Sequence, residues 1–450
     1  MIRNEEDGLK LTFFNNRKVY LSEFEIKNGS GSVEELNKAG EKLFQNFDDS
    51  IEHFSVTIQN TKKIISKGAV NHQILLLLID YIRKTSNYSQ IEIILVSIIY
   101  WLCRVDPSPK FLLSEDFLLF LISLVDSNNE NVVFYSIHLL SRIIIASSCI
   151  RTKLIEKNIL AGLMKVYKES KSIKIIKEIL ICMWSLFHDI GNIEKEHIYK
   201  VLPMFNDIIG LVGNEILSLV LYFGSAVLSI DKEACFLVFE NINTVVLVEE
   251  LVNVSEGDQI SILDFIGKLL ENAESGVAFT FLSQFSHKSL IHLFSSQNRE
   301  LIASLLRFLN SLYSFQVLDE RIVIDAKKNG VVEFLFSQTK SELYQIMKNS
   351  SLALMNLYNS FPLLVFSEFQ SNGFFILLSH ILTLESPELS ILVLKSIEST
   401  KNIMNLIGTD EEMSKELLTI ETNDPNMIMD HCHEISQILN DVVIKISQCS

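Results

Sequence analysis

Eight apolar segments recur along the chain at nearly constant spacing, and this regularity constrains the fold more than any other feature of the sequence. Each segment is apolar on a helical period and ends in a small polar or charged cluster. They are SIIYWLCRVDPS (97–108), SIHLLSRIIIASS (136–148), ILICMWSLFHD (179–189), LYFGSAVLSID (221–231), ILDFIGKLLEN (262–272), LLRFLNSLYSF (305–315), LALMNLYNS (352–360) and LVLKSIESTKN (392–402). One comparable position in each falls at 104, 142, 185, 227, 268, 311, 356 and 399, so successive segments stand 38 to 45 residues apart. Between them lie a linker, a helix of about 10 to 12 residues, a turn and a short helix leading into the next segment. The stretch CIRTKLIEKNILAGLMKVYKE (149–169) shows the join: a short charged helix breaks at Lys157-Asn158 and resumes at once as an apolar one.

A period of ~40 to 47 residues with two or three helices per unit is the signature of armadillo and HEAT repeats. Each unit buries its apolar faces only against its neighbours, so the stack shares one elongated core. The fold expected is all-α, a right-handed superhelical armadillo-repeat solenoid of about nine or ten repeats. Residues 28–450 would form the array, with KNGSGSVEEL (27–36) as a flexible joint and Ser32 and Glu35 at capping-box spacing. The amphipathic stretch 423–448 is expected to cap the stack, and 1–27 to stand apart as an N-terminal segment.

Composition agrees with stacked helices. Among 450 residues 48% are hydrophobic, yet 16 Gly and 6 Pro are too few to punctuate the many turns of a sheet protein. The longest apolar run, ILSLVLYFGSAVLSI (216–230), has 15 residues between Glu215 and Asp231, fewer than the roughly 18 to 20 that span a bilayer. It reads as a buried helix. MIRNEEDGLKL lacks the apolar core of a secretory signal, and six scattered cysteines without close pairs point to a reducing, intracellular setting. The net charge of -16 disfavours direct nucleic-acid binding and suits a basic protein partner.

No phosphate loop, nucleophile elbow or nucleotide fingerprint is present, and no enzyme or cofactor is expected. The one dense cluster of possible metal ligands is DHCH (430–433), where a helix turns His431 and His433 about 200° apart, away from a common ion. His188, His197 and His380 are isolated, and the carboxylate pairs Glu5-Glu6, Asp48-Asp49, Glu249-Glu250 and Glu411-Glu412 sit at turns and helix starts, where solvent and the helix dipole account for them. What a solenoid offers is a long groove for binding.

Several stretches resemble the importin-alpha family. CIRTKLIEKNILAGLMKVYKE is similar to its junction between second and third repeats, and IYKVLPMFNDIIG (198–210) to the linker and helix that follow. LLTIETNDPNMIMDHCHEISQIL resembles its closing repeat. At the N-terminus, RNEEDGLKL with Arg3, Lys10, Arg17 and Lys18 is similar to the importin-beta-binding segment. The resemblance implies a nuclear import adaptor, located in cytoplasm and nucleus. Its partners would be cargo carrying a lysine-rich localisation signal, importin-beta and an export receptor.

In that family the groove carries Trp-x-x-x-Asn pairs, whose amides bind an extended peptide and whose indoles hold lysine stems. The matching positions here are Tyr100 and Arg104, His138 and Arg142, Ile181 and Ser185, Phe223 and Val227, Asp264 and Lys268, Arg307 and Ser311, and Leu352 and Asn356. Asn356 keeps the family's residue, and Tyr100 and Phe223 keep an aromatic ring. Arg104, Arg142 and Lys268 place positive charge where a basic peptide would lie, which opposes its binding. Trp101 and Trp184 fall one and three positions beyond the indole positions. The alternative is therefore an armadillo scaffold that has lost signal binding and recognises another protein; a HEAT-type subunit of a larger complex is a third reading.

Overall fold

The computed structural model describes residues 31–407 except 62–70, 72, 105–113, 147, 188–194, 206–207, 212–214, 231, 274, 316–317 and 383–385. Segment 1–27, the cluster at 430–433 and the expected cap at 423–448 therefore lie outside the described residues. Those described form helices and turns, with one isolated parallel bridge between Gly31 and Thr61. The fold is an all-α armadillo-repeat solenoid.

The chain divides into two compact units, Met1–Met204 and Phe205–Ser450. The first holds α1 (Val33–Gln45), α2 (Phe47–Asn60), α3 (Gln73–Ile82), α4 (Tyr88–Arg104), α5 (Glu115–Val125), α6 (Glu130–Ala146), α7 (Ser148–Glu156), α8 (Ile159–Glu169), α9 (Ile173–Phe187) and α10 (Lys195–Val201). The second begins with α11 (Leu217–Ile230), α12 (Lys232–Asn241), α13 (Thr244–Glu249), α14 (Glu256–Asn272), α15 (Ser275–Gln284) and α16 (Arg299–Tyr313). It continues through α17 (Glu320–Lys328), α18 (Val331–Gln338), α19 (Tyr344–Ser360), α20 (Pro362–Ser371), α21 (Phe374–Leu382) and α22 (Pro387–Ile407).

The eight periodic segments are the long helices α4, α6, α9, α11, α14, α16, α19 and α22, each the last helix of its repeat. In the first unit α2, α4, α6 and α9 stack in succession; in the second, α11, α14, α16, α19 and α22 do the same. Packed against their equivalents and against the other helices of their own repeats, these helices are apolar around most of their circumference. In α9 every residue from Glu178 to Phe187 is buried. The apolar run at 216–230 becomes α11, whose Leu217, Val220, Leu221, Phe223 and Val227 have no exposed surface. No helix among the described residues is long and apolar enough to cross a membrane.

Local chemistry marks the helix ends. Ser32 and Glu35 form the expected capping box, with Ser32 N–H donating to Glu35 Oε2 at 2.9 Å and Glu35 N–H to Ser32 Oγ at 3.2 Å. Ser255, Asn298 and Asp319 cap α14, α16 and α17. The break at Lys157-Asn158 is a tight reversal in which Asn158 adopts φ 61 between α7 and α8. Gly330 (φ 74) and Gly373 (φ 84) make the same reversal before α18 and α21. Asn and Gly are the residues that tolerate this left-handed geometry, so one turn recurs in three repeats.

Candidate protein-interaction surface

Many polar side chains on the long helices pair with partners about one period away. In the first unit Gln90 Nε2 donates to Asp48 Oδ1 at 2.8 Å, 42 residues back, and Asn131 Nδ2 to Glu92 Oε2 at 3.1 Å, 39 residues back. In the second unit Asn298 Nδ2 donates to Glu256 Oε2 at 2.8 Å across 42 residues, and Tyr358 and Thr400 share a hydrogen bond at 2.7 Å across the same separation. The sequence period thus reappears as a ladder of hydrogen bonds between successive repeats.

His138 and Arg142 were expected to line a cargo groove. His138 is 3% exposed, and its Nδ1 lies 3.1 Å from Glu178 Oε1 of α9, which also accepts from Ser141 Oγ at 3.2 Å. Burial raises the Glu178 carboxyl, but His138, Arg142 and Ser141 outweigh it and hold the group below its ordinary value. Arg142 is half-buried beside this carboxylate. These residues bind repeat to repeat. Next to them, burial pushes the Cys182 thiol up to about 12, leaving it an unreactive apolar group.

The other expected positions in the first half of the array that are described with their side chains are buried as well. Tyr100 is 6% exposed, Ile181 6%, Ser185 1% and Phe223 0%, because α4, α9 and α11 pack on most of their circumference. Ser185 Oγ donates to the carbonyl of Ile181 at 2.8 Å, and Phe223 stacks on Phe205 at 5.9 Å between ring centres. These side chains leave almost no surface for a ligand. Arg104 is the last residue of α4. Trp101 and Trp184, 0% and 8% exposed, are core residues and form no open slots. Arg3, Lys10, Arg17 and Lys18 lie outside the described residues.

On α14, α16 and α19 of the second unit the corresponding positions Asp264, Lys268, Arg307 and Asn356 are polar and half-buried, with Ser311 and Leu352 buried between them. Arg307 on α16 donates to Asp264 Oδ1 on α14 through Nη2 at 2.8 Å and Nε at 3.3 Å, and Nη2 also reaches Ser304 Oγ at 2.8 Å. One turn along, Glu271 accepts from Lys268 Nζ at 2.9 Å and from Ser311 Oγ at 3.2 Å. The charges of Lys268 and Arg307 are thereby balanced within the protein. Beyond them, Asn356 Nδ2 on α19 donates to Asn310 Oδ1 on α16 at 2.9 Å. Both amides are half-buried, and no further bond ties Asn310 Nδ2 or Asn356 Oδ1 among the described residues, so a donor and an acceptor stand side by side on adjacent repeats. Asn359 continues the row, donating to the Leu392 carbonyl at 3.1 Å and accepting from Ser396 Oγ at 3.0 Å. Asn356 is among the positions expected from the sequence; Asn310, one position before the repeat anchor at 311, is not.

A buried chain of polar groups locks the repeats behind this face. His287 is 0% exposed, with Nδ1 3.0 Å from Asp325 Oδ2 on α17 and Nε2 2.7 Å from Tyr313 OH on α16. Burial holds the imidazole neutral, so Nδ1–H donates to the carboxylate and Nε2 accepts from the phenol. The His287 side chain, its backbone N–H and Ser286 together bring the Asp325 carboxyl down to about 2. No group of three His, Cys, Asp or Glu able to hold a metal occurs among the described residues.

No family profile matches the sequence, and no curated protein matches it. Solved structures do share its shape. An engineered protein superposes with a TM-score of 0.67 at 13% identity, covering 90% of this chain and 99% of its own. A structure of the cadherin and β-catenin system, in which a conserved phosphorylation switch controls their interaction, gives 0.58 at 12%, covering 90% and 77%. A designed armadillo repeat protein in complex with the peptide (KR)4 aligns over 54% of this chain and 100% of its own, at 17% identity and TM-score 0.46. At these identities the first two likenesses establish the fold.

Proposed function

We propose that this chain is a protein-interaction scaffold whose second unit receives an extended segment of a partner across α16, α19 and α22. The observation that carries the reading is the Asn310–Asn356 pair. Its open donor and acceptor match the carbonyl and N–H that an extended backbone presents, without requiring any particular side chain. The β-catenin structure of similar fold concerns an interaction with a partner protein, which fits a binding role. Peptides selected for binding to the full chain should lose about ten-fold in affinity to Asn310→Ala/Asn356→Ala, the loss of about two hydrogen bonds at ~0.5–1.5 kcal/mol each. Undiminished affinity, with helix content intact, would move the binding surface elsewhere.

A finer reading within this one is a nuclear import adaptor, supported by the resemblance in sequence, by Asn356 and by the net charge of -16. Titration with a lysine-rich localisation peptide at about 50 and about 300 mM salt tests it, since an adaptor binds and weakens as salt rises. A peptide of residues 1–27 should then bind importin-beta. Failure of both leaves a scaffold with other partners; the buried His138 and balanced Arg307 favour that outcome, because neither offers a slot for a lysine.

A further inference from the structure

Residues 151–177 hold eight basic side chains and two acidic ones, Glu156 and Glu169, in a chain whose net charge is -16. Several of the cations are used within the fold: Arg151 Nε donates to the Ile144 carbonyl at 3.4 Å, and Lys157 pairs with Glu115 at 2.6 Å and Lys165 with Asp126 at 3.1 Å, tying this repeat to the one before. Lys168, Lys171 and Lys174 are different. All three are exposed, and no carboxylate lies within ion-pair distance of them among the described residues. They follow at intervals of three through the last turn of α8, the short connection 170–172 and the first turn of α9, along the edge where the two helices meet.

The long helices α6, α14, α16 and α22 carry Glu130, Glu256, Glu300 and Glu388 in the first turn, which complement the partial positive charge of a helix start, whereas α4, α9, α11 and α19 have no acid there. The first turn of α9 has no acid and carries Lys174 instead, a cation set against that field. Lys174 is nevertheless held in place, its Nζ 4.0 Å from the centre of the Phe134 ring and 5.9 Å from that of Tyr135 on α6. A ring face positions an ammonium group while leaving its charge open to a ligand. Beside it Ile173 is 42% exposed, an apolar contact next to the charges.

We infer that the α8–α9 edge of the first unit docks an acidic, carboxylate-rich segment of a partner protein. Charge complementarity selects this occupant. A short acidic peptide is drawn by the three local cations, since attraction between exposed charges acts over a screening length of about 10 Å, whereas a long polyanion such as nucleic acid is repelled by the net negative charge of the chain as a whole. The surface lies in the other unit from the asparagine row and has the opposite preference to a lysine-rich ligand.

The test uses the full chain and a short fluorescein-labelled peptide of alternating glutamate and serine, followed by anisotropy. Saturable binding is expected at about 50 mM salt, weakening several-fold at about 300 mM. Lys171→Glu/Lys174→Glu should lower affinity about ten-fold or more while the thermal melt followed by circular dichroism stays in place. Asn310→Ala/Asn356→Ala should leave this peptide unaffected, which separates the two surfaces. The inference is overturned if the peptide does not bind at low salt or binds the reversed-charge variant equally well. It is also overturned if a single-stranded oligonucleotide or a phosphatidylserine vesicle binds this edge more tightly than the peptide.

Discussion

Asp325 shows how one residue contributes to the acid sensitivity of this fold. Its carboxyl, with a folded value of about 2 against ~3.9 in an unfolded chain, stabilises the native state above about pH 4, and that contribution disappears as pH falls through about 2. His287 acts in the same direction. Burial lowers its value below the ordinary ~6.5, so its contribution is complete above that pH and declines as acid protonates the unfolded chain. Asp325→Asn should therefore be less stable than the natural chain at neutral pH, with the gap narrowing between about pH 4 and about pH 2. Urea midpoints measured from pH 8 downward would show it, and a gap that does not change with pH would remove the carboxylate from this role. None of this was legible in the sequence, because His287 and Asp325 stand 38 residues apart and neither belongs to a recognisable motif.

At the scale of helices, close approach decides the outcome. A Cβ at Gly224 on α11 would lie 2.6 Å from Cε2 of Phe265 and 2.9 Å from Cε1 of Phe205, two core rings stacked 6.3 Å apart. At Gly267 on α14 the nearest atom is Phe308 Cα at 3.5 Å, an ordinary contact. Alanine favours a helix interior over glycine by about 1 kcal/mol, while overpacking a filled core costs about 1–3 kcal/mol. Gly267→Ala should thus be neutral or slightly stabilising, and Gly224→Ala destabilising by about 1–2 kcal/mol. Thermal melts of the two variants side by side would decide this; equal shifts would mean the rings around Gly224 move aside freely. Sequence alone marks both glycines as helix weak points and cannot tell which of them is pressed by a neighbour.

Over the whole molecule, repeat stacking makes stability a sum of local terms, so separate regions need not unfold together. Trp101 and Trp184 are both buried and both lie in the unit Met1–Met204. Tryptophan fluorescence therefore reports on that unit, and circular dichroism on helices in both. Denaturant midpoints from the two probes are expected to differ, and coincident transitions would show that the array unfolds as one cooperative body.

The sequence by itself determined the repeat, the helices and their turns. Hydrophobic periodicity, a recurrence every 38 to 45 residues and the residue types Asn158, Gly330 and Gly373 at tight reversals are local properties, readable before any tertiary contact is known. The tertiary structure decided which side chains face out. Helices packed against equivalents and against the rest of their repeat are apolar over most of their surface, so no stripe distinguishes an open groove from a packed contact. Tyr100, Ile181, Ser185 and Phe223 sank into the core for that reason. The polar contacts followed the same rule: Arg307 pairs with Asp264 and His138 lies against Glu178, while Lys168, Lys171 and Lys174 remain available. Which cation is already paired depends on a residue some forty positions away, brought beside it only by the stacking of one repeat on the next.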